Sequence, residues 1–147
     1  MSGKPAAPKV GDVWSYPYLW ARQHADGEIE GRKTRPCALI LLLRQEDAAG
    51  GETHTVVVLL AITTQPPRDG VAAVEVPLIE RRRAGLDADR PLWVIVDEHN
   101  EDILPGSYDF EPGGRIGSLS PAFTGQVRRA MMEAIRTRRS RRVPRRE

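Results

Sequence analysis

Two short segments of this 147-residue chain carry groups suited to a phosphate where apolar runs begin and end. In Gly31-Arg32-Lys33-Thr34-Arg35-Pro36, three cations lead straight into an apolar stretch. Pro36 fixes the entry to that stretch and biases the residue before it toward extended backbone. Arg35 is therefore held at the mouth of a sheet, and its planar, permanently charged fork of donors matches phosphate oxygens. In Ala61-Ile62-Thr63-Thr64-Gln65-Pro66-Pro67, an apolar strand surfaces with two hydroxyls and an amide before two prolines stop it. If the two runs pair antiparallel, the end of the second lies beside the start of the first. Arg35 then meets Thr63 and Thr64, a cation beside hydroxyl donors, which suits charge stabilisation at a phosphodiester. Arg32, Lys33, Thr64 and Gln65 are the neighbouring candidates for substrate binding. Ordinary polarity at strand ends gives the same residue types.

Other chemistries have no signature here. The chain contains no phosphate-binding G-x-x-x-x-G-K-S/T loop, no G-x-G-x-x-G after a strand, no H-E-x-x-H, no C-x-x-C and no G-x-S-x-G. His24, His54 and His99 stand apart at no usual ligand spacing, so neither a metal nor a cofactor is expected. The single cysteine, Cys37, excludes an internal disulfide framework and reads as a small buried hydrophobe. No run approaches the roughly 20 apolar residues of a membrane helix. The first nine residues lack the apolar core of a signal peptide, so a cytoplasmic protein without membrane partners is expected.

Charge is unevenly spread. From Arg128 to Glu147 nine arginines oppose two glutamates, a net +7, which leaves −5 for the rest of a chain whose total is +2. A negative body is not a general nucleic-acid platform, so an RNA site on it must be local. The arginines beyond 139 read as a solvated, disordered tail, which gives one domain over 1–139 and a tail over 140–147.

The elements that must position the candidate groups follow from two periods. Up to about residue 112 the apolar runs are short, rich in Val, Ile and Leu, and punctuated by Gly, Pro and Asp, which predicts strands. These are Val10 to Tyr18, Pro36 to Leu43, Thr55 to Thr64, Val74 to Pro77 and Leu92 to Asp97. The second and third are almost continuously apolar and so buried on both faces, joined by a hairpin loop over Gln45 to Glu52. Leu78 to Ala84 predicts a short helix that Gly85 ends. After Gly117, Ser120 is a fitting N-cap and Pro121 a fitting first helical residue. Phe123, Val127, Ala130, Met131, Ala134 and Ile135 then recur at helical spacing to about Arg138. The expected fold is mainly β (α+β): a small curved sheet or barrel with a C-terminal amphipathic helix lying on it. The polar connection Leu19 to Thr34 is long for such a domain, which suggests a functional loop.

Several of these segments, in order, resemble the MazF/PemK toxins of toxin–antitoxin systems. Val10-Gly11-Asp12-Val13-Trp14 is similar to their opening strand, and Gly31 through Leu41 to their glycine, basic or polar, Arg-Pro, apolar-strand signature. Val57 to Gln65 resembles their strand ending in Ile/Val-Thr-Ser/Thr-Gln. Leu92 to Asp97 resembles their apolar strand closing on Asp, and Arg115 to Pro121 the start of their last helix. The resemblance implies a small SH3-like, CcdB/MazF-type β-barrel with a C-terminal amphipathic helix, a homodimer, and a cognate antitoxin as partner. It implies a metal-independent endoribonuclease that cuts single-stranded RNA such as mRNA by attack of a 2′-hydroxyl on the adjacent phosphate. It assigns Arg35 to charge stabilisation, Thr63 to phosphate hydrogen bonding and Asp97 to the base, although a strand-end cap is the other reading of Asp97.

The chain departs from the pattern in two places. Where some members carry a histidine before the glycine, it reads Gly27-Glu28-Ile29-Glu30, with His24 nearby. Where some carry an arginine two residues before the Asp, it has Ile95. The general acid is therefore unassigned, with His99 as a candidate. Three further readings stand beside the nuclease: a degenerate relative that binds RNA or a protein without cutting, a CcdB-like poison of DNA gyrase, and a plain β-barrel interaction module.

Overall fold

In a computed structural model, residues 7–25, 27, 33–46, 53–104, 110–111, 113–137 and 141–145 are described. The two apolar runs form the longest strands, β2 (Arg35–Glu46) and β3 (Thr53–Thr63), paired antiparallel from Cys37↔Ala61 to Glu46↔Thr53. The hairpin loop at 47–52 lies outside the described residues. β1 (Asp12–Tyr16) pairs with β2 on one side and with β7 (Arg115–Ser118) on the other. On the far edge of β3 lie β5 (Trp93–Ile95) and β6 (Glu98–Leu104), and β4 (Ala73–Glu75) pairs with β5. All these pairings are antiparallel. The helices are α1 (Ala21–Ala25), α2 (Leu78–Arg83) and α3 (Pro121–Arg136). No helix among the described residues is long and apolar enough to cross a membrane.

β2 from Cys37 to Ile40 and β3 from Val57 to Ile62 are buried on both faces, whereas β2 is exposed from Leu43 to Glu46, so its burial ends short of the predicted run; alternation sorts the buried side chains. Ala38, Ile40, Val58, Leu60 and Ile62 join Val94 and Val96 on one face, under Phe123, Val127, Met131 and Ala134 of α3. Each large apolar side chain so buried contributes about 1.5–3 kcal/mol. Cys37, Leu39, Val57, Leu59 and Ala61 point to the opposite face, against Tyr16 and Tyr18. The α3 start matches expectation: Ser120 Oγ accepts the Phe123 N–H at 3.1 Å, and Pro121 follows. Ser120 in turn donates its N–H and its hydroxyl, each at 2.8 Å, to the buried Glu80 of α2. Ile135 is the exception on the predicted apolar stripe, being 42% exposed.

The mainly β fold with its antiparallel sheet and C-terminal helix is as expected, but the sheet is not closed into a barrel. The strand path runs open in the order β4-β5-β3-β2-β1-β7. α2 follows β4 in the chain, and its C-terminal end packs against β7. Gly85 (φ 73°) ends α2 as predicted, and its neighbour Ala84 packs so tightly on β7 that a Cβ at Gly117 would collide with the Ala84 carbonyl.

The C-terminus corrects a second expectation. Arg141–Pro144 is no disordered tail but a strand, β8, parallel to β6 from Glu98↔Arg141 to Glu101↔Pro144. Val143 is buried, the Arg145 N–H donates to the Glu101 carbonyl at 2.8 Å, and the buried Arg145 guanidinium lies 5.7 Å from the Tyr16 ring centroid. Arginine stems pack on apolar surface while their heads find partners, so a run of arginines need not be solvated. Removal of 141–147 is expected to cost about 3 kcal/mol, chiefly from burial of Val143 and loss of the β6 ladder. A melting curve should then fall by about 6–12 °C; an unchanged curve would mean that β8 contributes nothing.

The β6–β8 junction is also acid-sensitive. Burial pushes the Glu101 carboxyl up. Hydrogen bonds from Arg142 Nε (2.8 Å) and His99 Nε2 (3.1 Å), with their charges, outweigh it, and the group ends below its ordinary value. A carboxyl with a lowered folded-state pKa stabilises the fold above its unfolded-state value. That stability is lost as pH falls through the folded-state value. Stability measured between about pH 5 and 3 should therefore fall less steeply in Glu101→Gln than in the wild type. Equal slopes would remove Glu101 from the acid response.

Candidate functional site

On the face away from α3, one cleft of about 770 Å³ gathers Arg35, Thr63, Gln65 and Asp97. Four separate devices bring them there. Arg35 opens β2 opposite Tyr16 and shares the parity of Cys37 and Leu39, so it points to the Tyr16–Tyr18 face. Thr63 ends β3 opposite Trp93 and shares the parity of Ala61. The β2–β3 register, continued two residues past Cys37↔Ala61, sets Arg35 across from Thr63. The antiparallel hairpin expected from sequence thus makes neighbours of them.

Gln65 is brought back by a local turn. Thr63 Oγ1 accepts the Gln65 N–H at 3.0 Å, a hydroxyl turn that reverses the chain before Pro66 and Pro67. That bond uses the oxygen as acceptor and leaves the hydroxyl proton to donate to a ligand. Thr64, of opposite parity, is exposed and does not line the cleft.

Asp97 arrives by a bulge. β3 pairs Ile62 with Val94 and then Leu59 with Asn100. Five residues, 95–99, thus stand against two, Leu60 and Ala61. The excess bends the strand and swings Asp97 into the cleft. The strand predicted to close on Asp97 in fact ends at Ile95, and the chain re-enters the sheet at Glu98.

Arg35 is the best-positioned cation. Its Cζ lies 5.1 Å from the Trp20 ring centroid, and its Nε is buried without a hydrogen-bond partner among the described residues. An unsatisfied buried donor is costly, and an incoming oxyanion would satisfy it. Arg22 also lies over Trp20, at 5.8 Å. The cleft therefore holds Arg22, Arg35 and Arg68 against Asp97 and Glu98, an excess of positive charge on a body that is negative overall. Glu98 is partly spoken for: it accepts the Ala21 N–H at 2.9 Å and the Tyr18 hydroxyl at 3.3 Å. Burial, and then the charge of Glu98, push the Tyr18 pKa well up, which keeps that hydroxyl a donor.

Lys33 is exposed and lines a smaller adjoining cavity together with Trp20, Arg22 and Arg35. Arg32 lies outside the described residues. His99 is buried beside Glu101 and lines neither cavity, and the same holds for the exposed His24. Burial pushes the Cys37 thiol up, in keeping with its reading as an inert hydrophobe. Among the described residues, no group of three His, Cys, Asp or Glu side chains is placed to hold a metal.

No protein-family model, curated protein or solved structure matches this chain. The geometry of the cleft and the resemblance in its motifs are what bear on its activity. Sequence reasoning passed over Trp20, Arg22, Arg68 and Glu98. The length of the Leu19 to Thr34 connection was the signal for the first two, since Trp20 is the one aromatic residue in an otherwise polar stretch.

Proposed function

We propose that the protein is an endoribonuclease toxin of the MazF/PemK kind, which cuts single-stranded RNA without a metal. The observation that carries this reading is the convergence of Arg35, Thr63, Gln65 and Asp97 on one cationic cleft from three stretches far apart in sequence. The reaction needs a base for the 2′-hydroxyl and positive charge on the phosphoryl oxygens. Asp97 takes the 2′-hydroxyl proton as that oxygen bonds to phosphorus. Arg35 and the Thr63 hydroxyl hold the non-bridging oxygens. The bond from phosphorus to the 5′-oxygen breaks, this oxygen takes a proton from water, and the hydroxide left behind takes the proton held by Asp97, which restores the carboxylate. The products are a 2′,3′-cyclic phosphate and a 5′-hydroxyl, with no net consumption of protons. Gln65 in the main cleft and Lys33 in the adjoining cavity border the path of the strand. Under the same reading the open sheet is a variant of the family's barrel. The protein works as a cytoplasmic homodimer whose paired subunits form the RNA groove, and a cognate antitoxin restrains it.

The test is incubation of the purified chain with long single-stranded RNA and with total cellular RNA in EDTA, followed by mapping of the ends. Discrete cuts with 5′-hydroxyl ends are expected. A folded protein that leaves both RNAs whole would overturn cleavage. One observation favours a second reading, a relative that binds RNA without cutting it: no histidine lines the cleft, so the acid that some family members use has no counterpart. Binding without cuts would decide for it.

A further inference from the structure

Beside the main cleft lies a second cavity of about 210 Å³, lined by Tyr18, Trp20, Arg22, Gln23, Lys33 and Arg35. Trp20, Arg22 and Arg35 line both cavities, so the two adjoin at these side chains. The smaller cavity has room for roughly seven waters at ~30 Å³ each, the scale of one planar base. Its charged lining residues are all cations, whereas the main cleft also holds two carboxylates.

Trp20 is held firmly. It meets Tyr18 edge-on, with centroids 5.0 Å apart and planes at 68°. Its backbone N–H donates to Gln23 Oε1 at 3.1 Å, and the flanking Leu19 and Ala21 N–H groups donate to Asn100 Oδ1 and Glu98 Oε1, each at 2.9 Å. Three successive backbone donors are thus tied to side chains around one half-buried indole. A fixed indole whose ring draws two guanidiniums is a stacking platform, and single-stranded RNA is bound by stacking bases on aromatic rings and arginine planes.

We propose that the smaller cavity is a nucleotide subsite in which the base next to the cleaved phosphodiester stacks on Trp20 while its phosphate meets Lys33 and Arg22. The assignment rests on the RNA-cutting reading of the main cleft. It adds a residue that selects for an unpaired base, because a base within a duplex cannot leave its stack to reach the indole. Stacking does not require a particular base, so the subsite supplies affinity for single strands and not a sequence code.

The test uses the full chain and a fluorescent single-stranded RNA of mixed sequence with 2′-fluoro groups, which cannot be cut, read by anisotropy. Trp20→Ala is expected to weaken binding about 5- to 150-fold, and Trp20→Phe to keep most of the affinity. A probe of the same length with abasic sites should bind the wild type correspondingly less. Equal binding of the intact and abasic probes by the wild type overturns the subsite, and this arm needs no variant to fold. Equal binding of the intact probe by the wild type and a folded Trp20→Ala also overturns it, while the reading of the main cleft stands. No binding of either probe by the wild type overturns both.

Discussion

Arg35→Ala is expected to slow RNA cleavage by about a thousandfold, the scale of losing a positioned cation or oxyanion donor at a phosphoryl centre. The size follows from how the side chain is held. Pro36 extends the backbone at the start of β2, the Tyr16 pairing anchors it, and the guanidinium lies over the Trp20 ring, 5.1 Å from its centroid. Little freedom is lost when phosphate arrives, and a buried Nε gains an acceptor. The fold should not suffer, because Arg35 Nε has no hydrogen-bond partner to lose among the described residues. A melting curve within about 0.5 kcal/mol of wild type checks this. Arg35→Lys keeps the charge but loses the fork and the stack, so its rate should lie between the two. Full activity in a folded Arg35→Ala would sink the assignment of the cleft.

That prediction was accessible from sequence because Arg35 and Thr63 sit at the ends of strands whose apolar runs are unmistakable. Once β2 and β3 pair as a hairpin, the geometry of an antiparallel ladder brings the two ends together. The C-terminal helix was legible for the same kind of reason: Ser120, Pro121 and the 3.6-residue stripe agree. What escaped is instructive. β6 carries His99, Asn100 and Asp102 where a buried strand ordinarily shows Val or Leu. Asn100 is satisfied by both the N–H and the carbonyl of Leu19, and Asp102 by the Tyr16 hydroxyl at 2.7 Å. Burial of polar groups is tolerable only with partners far away in the chain, and no local pattern announces them. β8 was hidden by its arginines, which composition reads as solvated. It forms because β6, with its polar inward residues, still offers an open row of backbone groups and a niche for Val143. The open strand order was not legible either: α2 was foreseen, but nothing in its sequence says that its end packs against β7.

The bulge just before this polar strand places Asp97 in the cleft, and under the proposed function the second large effect is expected there. Asp97→Asn should slow cleavage by about a hundred- to ten-thousandfold, the range for loss of a general base. It keeps the shape of the side chain and removes only the charge and the capacity to accept a proton. Binding and chemistry should therefore separate. An anionic carboxylate in a cleft that holds phosphate repels the substrate, so the asparagine should bind the uncuttable 2′-fluoro RNA as tightly as the wild type or more tightly. Arg35→Ala should lose both binding and rate. A single assay pair, anisotropy on the 2′-fluoro strand and cleavage of its natural counterpart, tells the two residues apart. If Asp97→Asn cuts at the wild-type rate, the carboxylate is the cap of a bulged strand and the base lies elsewhere in the cleft, where Glu98 is the other carboxylate. If it loses binding instead, the bulge between Val94 and Asn100 depends on the charge for its shape. The role of Asp97 would then be to position the neighbouring backbone and not to take the proton.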